Sequence, residues 1–482
     1  SLALKDTQTV ADIVYHKTNG NAFFTKMYLR QLQKDKIIYF NEIEKVFNCD
    51  LERVYKLPLN FGLFEFLNKN IDILSYKEQR LLKLASCIGS VFSKDFLKKV
   101  YNDEATFESS LEKLTNEEWF VKEAFYSNSE QINYHFSHDK IQQFVYSTLS
   151  NEELQNYHRE VGFSYFNTDG SLDSRYLITA MNHMNKIFRT LEDEDTLRLI
   201  KTLNIKACRS AKRSGDFENA LIYIKNVEEI ITSLKIENSD YAILRLRGEC
   251  EHLCHNKSEA IKYYNIALKN ASTKIQKAKV YELIIKLYTD ISDFKTAYEI
   301  GIEAAKLFDI TLPKSFNKLY FIFDFLVLKL RLKSKNDVAF LYELENAKDE
   351  DIITAVRILS AILKVAYQIR PELSVAISVK IVNICLKYGL TKESVIGFMV
   401  FGVNFQGGIL GNHTLGYDYS RFCRDMLNRF EDDTLKSEVE FVCGYFSNSW
   451  INPSSDTEKQ WIDSYKIGLE TGDWFHTGCS AA

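Results

Sequence analysis

The sequence predicts a mainly α protein, with a mixed helical region and one short β-hairpin in its first third and an array of helix pairs in the rest. Proline and glycine are scarce: the 482 residues include 4 prolines and 19 glycines, against average usages of about 5% and about 7%. Beyond about residue 170, small residues recur one helical turn apart. Helices joined by short polar turns explain both features, whereas sandwiches and propellers need many more turn residues.

Charge and cysteine usage describe an ordinary globular chain. The 61 basic and 65 acidic side chains leave a net charge of −4, which gives no reason to expect nucleic acid or an anionic membrane as partner. Nine cysteines, odd in number and scattered, favour a reducing cytoplasm over a disulfide framework. The apolar stretch 319–330 is too short and too polar to span a bilayer, which needs about twenty residues, so we expect a buried or partner-facing helix.

Up to about residue 168 the pattern changes every fifteen residues or so. Apolar spacing predicts two short helices within 7–34, broken at residues 19–21, and helices near 63–74, 78–88, 92–100 and 107–114. Segment 36–47 fits either a strand pair or a ragged helix. Residues 119–121 and 132–136 alternate around a polar tip and predict a hairpin, followed by a helix from about 139 to 149. Short helices followed by a hairpin and another helix outline a winged helix.

The second part has a repeating spacing. Small residues stand at Ala220, Ala260 and Ala297, in steps of 40 and 37 residues, and a partner position lies twelve residues before each, at Cys208, Gly248 and Ile285. These offsets predict tetratricopeptide-like helix pairs, although the usual repeat is about 34 residues. Further pairs are expected near 402–422 and 444–468, and 310–390 is helical but off-register.

We find no motif that would carry catalysis. The string closest to a phosphate-binding loop is 411–416 (GNHTLG), but Tyr417 follows where a lysine is needed, so we expect a tight turn and a helix contact there. Cys250, His252, Cys254 and His255 have metal-like composition, yet on a helix His252 points away from both cysteines. We therefore predict no catalytic and no metal-binding residue in this stretch.

Local physics gives His138 a structural role. The pair His138-Asp139 stands at the predicted start of the helix after the hairpin. A side chain there caps the helix, and Asp139 is favourable at its positive end.

Four segments resemble the STAND signal-transduction ATPases, which carry an AAA-type ATPase module. They are TNGNAFF (18–24), LLKLASCIG (81–89), FSHDKIQQ (136–143) and YKIGLETGD (465–473). This resemblance implies a helical lid-like segment over 1–60, a winged-helix-like domain over 61–168 and tetratricopeptide-like repeats over 169–482. It also implies that nucleotide lies between a preceding P-loop domain and the first two of these regions.

The resemblance further implies a nucleotide-sensing role for three residues. His138 is similar in placement to a histidine that touches the β-phosphate of ADP, and Gly20 and Asn21 occupy the turn beside the adenine. Ala22 stands where the family has proline, which removes a rigid apolar contact to the base. ATP or ADP with Mg would be bound by the parent protein and not by this stretch alone. The cap and the nucleotide sensor remain alternative interpretations of His138.

The expected function is that of a regulatory core in a cytoplasmic signalling protein. Nucleotide state would be coupled to a repeat array that binds a protein or small-molecule signal and controls a histidine or Ser/Thr kinase output outside this chain. The expected partners are the P-loop and kinase domains of the same parent chain, with no nucleic acid and no membrane span. Both chain ends suggest a piece of a longer protein. The alternatives are a non-catalytic interaction scaffold and a transcription regulator of similar architecture.

Overall fold

The computed structural model describes residues 7–18, 20, 22–56, 63–123, 132–167, 169–237, 240–332, 338–431 and 433–481. Helices dominate these residues, as the low proline and glycine content predicts. The chain divides into two compact units, Ser1–Ala207 and Cys208–Ala482. The predicted domain boundaries near residues 60 and 168 remain predictions.

The first unit combines ten α-helices, the start of an eleventh, and five short strands among its described residues. Its helices are α1 (Thr7–Thr18), α2 (Ala22–Lys34), α3 (Leu51–Lys56), α4 (Leu63–Ile73), α5 (Tyr76–Ile88), α6 (Lys94–Tyr101), α7 (Glu104–Asn116), α8 (Asp139–Ser147), α9 (Asn151–Ser164), α10 (Leu177–Ile187) and α11 (Glu194–Arg213), which crosses the division. Its strands are β1 (Ile38–Asn41), β2 (Val46–Cys49), β3 (Val91–Ser93), β4 (Phe120–Lys122) and β5 (Asn133–Phe136).

Strands β1 and β2 form an antiparallel hairpin, which resolves the ambiguous segment 36–47 and corrects the expectation of a single hairpin. The turn is local in origin, because the Asn41 side-chain oxygen accepts the backbone N–H groups of Ile43 and Glu44 at 3.0 and 3.2 Å. The hairpin packs with α1–α3 around a small core that includes Val14, Leu32 and others: Val10, Ile13, Tyr28, Ile37, Ile38 and Val54.

A second sheet has the order β3-β5-β4, with both pairings antiparallel. Strands β4 and β5 are the predicted hairpin, whose tip at 124–131 lies outside the described residues. Strand β3 lies in a stretch that was predicted to be helical. Helix α6 begins only at Lys94, because the Ser93 hydroxyl accepts the backbone N–H of Phe96 and caps the helix there. The rings of Phe92, Phe120 and Phe136 meet at 5.0–6.0 Å and fasten the sheet to the core.

The second unit is a succession of helix pairs. Its helices are α12 (Phe217–Ser233), α13 (Tyr241–Leu253), α14 (Lys257–Asn270), α15 (Lys274–Asp290), α16 (Phe294–Lys306), α17 (Lys318–Leu332), α18 (Glu350–Ile369), α19 (Pro371–Tyr388), α20 (Ser394–Met399), a π-helix (Val400–Ile409), α21 (His413–Phe430), α22 (Lys436–Phe446), α23 (Ser454–Thr471) and α24 (Trp474–Ala481). Ala260 and Ala267 are fully buried. A Cβ on Gly248 would lie 2.6 Å from the Tyr264 ring, so small residues sit at the helix contacts and the predicted repeat register is confirmed.

Two apolar helices in the off-register stretch 310–390 differ in how many of their apolar side chains are buried. Helix α17 buries Leu328 but leaves Leu319, Phe323, Leu326 and Leu330 exposed, so it is only partly a buried helix. Among the described residues, α18 is the one helix long and apolar enough to cross a membrane by length and composition. Ten of its residues are buried within the unit, and a core helix passes the same test.

Candidate functional site

His138 lies between the last strand of the sheet and α8, where the chain turns from β5 into a helix. Its backbone is extended, with φ −159° and ψ 142°, and its Nδ1 accepts the backbone N–H of Lys140 at 3.1 Å. The helix then begins at Asp139, as predicted, and ends at Ser147, two residues earlier than predicted. His138 is therefore the N-cap of α8, which confirms the interpretation drawn from local physics.

The cap also assigns the proton on this imidazole. Because Nδ1 accepts a hydrogen bond, the neutral ring carries its proton on Nε2. An N–H donor beside the positive end of a helix suits a phosphate oxygen. Asp139 occupies the first turn of α8, and its carboxylate offsets part of the positive potential there. An anion bound at this point would need further positive charge from another source.

Contacts around His138 connect the sheet to α2. The Ser137 N–H donates to the Trp119 carbonyl at 3.0 Å. The preceding residue, Glu118, has a positive φ of 61° and pairs with Arg30 of α2, with Lys26 Nζ 3.6 Å from its carboxylate. These contacts link α2 to the residues directly before β4 and, through Trp119, to Ser137 beside His138.

Gly20 lies just before the N-terminus of α2, at the end of that helix away from Arg30. It has φ +69°, and a Cβ there would lie 2.6 Å from Cε2 of Tyr15, so the turn between α1 and α2 requires glycine for backbone reasons. Ala22, which starts α2, is about 12 Å of helix rise from Arg30. The described contacts therefore bring α2 to the region of His138 without joining Gly20 to it. Asn21 lies outside the described residues.

A buried polar chain that the sequence did not reveal lies on α8, α9 and α10. Nδ1 of His158 and Nδ1 of His183 are 2.8 Å apart, and His158 Nε2 is 2.9 Å from the Tyr146 hydroxyl. Lys186 Nζ donates to that hydroxyl at 2.8 Å. An ammonium can only donate, so the Tyr146 oxygen accepts from Lys186, while Tyr146, His158 and His183 share the remaining protons along the chain. Burial lowers the pKa of His158 to about 3 and of His183 to about 4, so both rings are neutral.

The metal-like group in the repeats is dispersed. His252 Nε2 lies 3.0 Å from Asp290, and the Cys254 thiol donates to the Phe217 carbonyl at 3.3 Å. Cys250 instead faces Cys208, with the two sulfur atoms 3.5 Å apart. Within the described ranges, no three histidine, cysteine or acidic side chains are grouped as metal ligands.

The string 411–416 forms the turn and helix contact that were predicted for it. Gly411 has φ +74°, and a Cβ on Gly416 would lie 2.8 Å from the Cα of Gly407. Gly407 and Gly416 therefore let the start of α21 approach the π-helix closely.

Comparison with known proteins shows similarity to signalling proteins. No family model matches the chain. The chain is 20% identical over 553 aligned positions to hybrid signal transduction histidine kinase G of Dictyostelium discoideum; the alignment covers 99% of this chain and 16% of that protein, so the chain spans about one sixth of its length. Among solved structures, it is similar to a STAND protein with a tetratricopeptide repeat sensor from Pyrococcus horikoshii. That match has 14% identity, a TM-score of 0.36, and coverage of 88% of this chain and 62% of the other.

Proposed function

We propose that this chain is the nucleotide-responsive and sensory part of a cytoplasmic signalling protein of the STAND class. In this proposal, residues of the first unit respond to bound ADP or ATP, and the helix pairs of the second unit receive a signal. The kinase output lies elsewhere in the parent chain. The four segments that resemble STAND ATPases support this proposal. Similarity over 99% of the chain to a hybrid histidine kinase supports it as well.

The observation that carries the proposal is the double use of the His138 ring. Nδ1 is committed to the cap of α8, which fixes the ring so that Nε2 is its N–H donor. We infer that this N–H donates to the β-phosphate of ADP in the resting state. In the ADP-bound resting state this contact would join the start of α8 to the nucleotide. Because Asp139 shares this helix end, a basic residue of a P-loop domain is needed to complete the phosphate site.

Substitution of His138 by asparagine and by alanine separates the cap from the sensor. Asparagine is a good N-cap but has no N–H at the position of Nε2, so His138→Asn should keep α8 stable and lose the phosphate contact. A hydrogen bond to a charged group is worth about 1.5–3 kcal/mol, which predicts ADP binding weaker by about ten- to a hundredfold. His138→Ala should lose that affinity and also lower the melting temperature. Both variants should raise signalling output in the absence of the signal.

The measurement is calorimetric ADP binding to a longer protein that includes the proposed P-loop domain, alongside thermal melting. Ser150→Ala is a matched control, since Ser150 caps the next helix, α9, through a capping box. It should lower the melting temperature by a similar amount and leave ADP affinity unchanged. If His138→Asn binds ADP as tightly as the unaltered protein, capping α8 is the whole role of His138. The alternative function, a non-catalytic interaction scaffold, would then be favoured.

A further inference from the structure

Helix α17 has two apolar faces with different surroundings. One face packs on the core of the second unit: Leu328 is fully buried, and the rings of Phe321 and Phe325 meet the Phe405 ring edge-on at 5.9 and 5.6 Å. The other face, which we call the outer face, is open to solvent. It consists of five large apolar side chains, those of Leu319, Ile322, Phe323, Leu326 and Leu330.

The side chains of the outer face form one stripe along the helix. They stand at positions i, i+3, i+4, i+7 and i+11, which share one side of a regular α-helix. Leu319 is 79% exposed and Phe323 is 66% exposed, so these side chains project from the surface. Single exposed leucines are normal on a protein surface, whereas a contiguous apolar stripe marks an interaction site.

The exposed charges beside the outer face are of one sign. The segment 310–332 contains four basic residues and one acidic residue. The acidic residue, Asp324, is largely buried, and its carboxylate lies 3.2 Å from Lys380 Nζ. All four basic residues are exposed, and they stand near the two ends of the stripe: Lys314, Lys318, Lys329 and Arg331. Positive charge therefore borders the outer face at both ends.

Size and charge both favour a lipid surface over a protein as the occupant of the outer face. A standard protein–protein interface uses about 20–30 residues a side, many more than one helix face presents. In a two-fold contact between copies of this chain, basic helix ends would meet basic helix ends in either orientation, and like charges repel. Anionic phospholipid head groups instead attract lysine and arginine, while apolar side chains enter the boundary between head groups and acyl chains.

We propose that the outer face of α17 docks the second unit on an anionic membrane surface. The five apolar side chains insert to the depth of the head groups, and the four cations contact the anionic groups of the lipids. The helix lies in the plane of the membrane, because its fifteen residues are fewer than the about twenty that a span needs. The net charge of −4 on the whole chain opposes docking only weakly, since charges farther away than about 8 Å are screened at physiological salt.

Co-sedimentation of the 482-residue chain with lipid vesicles tests this docking. We expect binding to phosphatidylcholine vesicles that contain about 30% phosphatidylserine, and binding at least about tenfold weaker to phosphatidylcholine alone. Phe323→Ser removes an apolar anchor and should weaken binding to the anionic vesicles about tenfold. Lys318→Gln should weaken that binding about fivefold and leave any binding to neutral vesicles unchanged.

Ile222→Ser and Lys269→Gln are matched controls for these two substitutions. They remove an exposed apolar side chain from α12 and an exposed lysine from α14, and neither should change vesicle binding. Because all four substituted residues are exposed, the variants should keep the melting temperature of the unaltered chain, which checks that each is folded.

Three binding results would overturn the proposal: no binding to the anionic vesicles at millimolar lipid, equal binding to neutral and anionic vesicles, or equal effects of Phe323→Ser and Ile222→Ser. Light scattering tests the alternative occupant, a second copy. A dimer that Phe323→Ser dissociates would make the outer face an interface between copies and would also overturn the proposal. These outcomes are independent of nucleotide: ADP affinity lowered by His138→Asn, without vesicle binding, would remove the docking surface and keep the proposed function.

Discussion

The paired histidines His158 and His183 couple the stability of the first unit to pH. Both rings are buried and neutral, with pKa values lowered to about 3 and about 4, whereas an unfolded histidine has a pKa of about 6.5. Between pH 6.5 and pH 4 the unfolded chain therefore binds protons that the folded chain does not. The free energy of unfolding must fall as the pH decreases through this window, and above about pH 6.5 the pair contributes no pH dependence.

Replacing His183 by asparagine should flatten this dependence. Asparagine places a hydrogen-bonding atom near the position of Nδ1 and so keeps a partner for His158, but it cannot be protonated. We expect the loss of unfolding free energy between pH 6.5 and pH 4.5 to be smaller than in the unaltered chain by about 1–3 kcal/mol. Urea unfolding at four pH values measures it. His255→Asn, which removes an exposed histidine from a left-handed position that asparagine tolerates, is the control and should change nothing.

At the residue scale, the sequence predicted what depends on neighbours along the chain. The cap at His138 follows from a polar residue directly before a helix, and the turn at Gly411 follows from glycine. The pair of His158 and His183 could not be predicted, because the two residues lie 25 positions apart and meet only through the packing of α9 on α10. No motif marks either of them.

Buried charges hold α12 and α13 together. Arg247 of α13 is 5% exposed; its Nε lies 3.0 Å from Glu228 of α12 and its Nη1 lies 2.6 Å from Glu251. Burial raises the pKa of Glu228, and the nearby Arg247 opposes that rise. The two carboxylates share one guanidinium, and removing that cation would leave both without their charged partner.

Arg247→Met should therefore be strongly destabilising. It keeps much of the side-chain volume but leaves the half-buried Glu228 and the buried Glu251 without their cation, which costs about 3–5 kcal/mol. Urea unfolding followed by circular dichroism measures the change. Lys262→Met breaks an exposed pair with Glu259 on the neighbouring helix α14 and should cost less than about 1 kcal/mol. Equal effects of the two substitutions would show that the Arg247 pairs contribute no more than exposed ones.

At the element scale, helix positions were predictable and departures from the α-helix were not. The repeat register followed from small residues, which local spacing reveals. Strand β3 was missed because its three residues carry the same apolar spacing as a helix start. The π-helix was also missed; its Gly402 packs against Tyr419, seventeen residues further on, a contact that local spacing does not reveal.

For the whole molecule, the proposed phosphate contact of His138 would need further positive charge to hold a nucleotide. The 482 residues contain no phosphate-binding loop. The contacts around His138 include a helix cap, the Glu118 pairs with Arg30 and Lys26, and the carboxylate of Asp139 at the helix start. Arg30 and Lys26 are already paired with Glu118, so their charge is partly neutralised.

We therefore expect the isolated chain neither to hydrolyse ATP nor to transfer phosphate, and to bind ADP only weakly. A single hydrogen bond to a charged group, about 1.5–3 kcal/mol, falls short of the about 4.1 kcal/mol that corresponds to a millimolar dissociation constant. The dissociation constant for ADP should then be about 10 mM or weaker. Phosphate release and calorimetry on the purified chain measure both quantities. ATP turnover that one substitution within the chain abolishes, or micromolar ADP binding, would mean that a nucleotide site is complete without a P-loop domain.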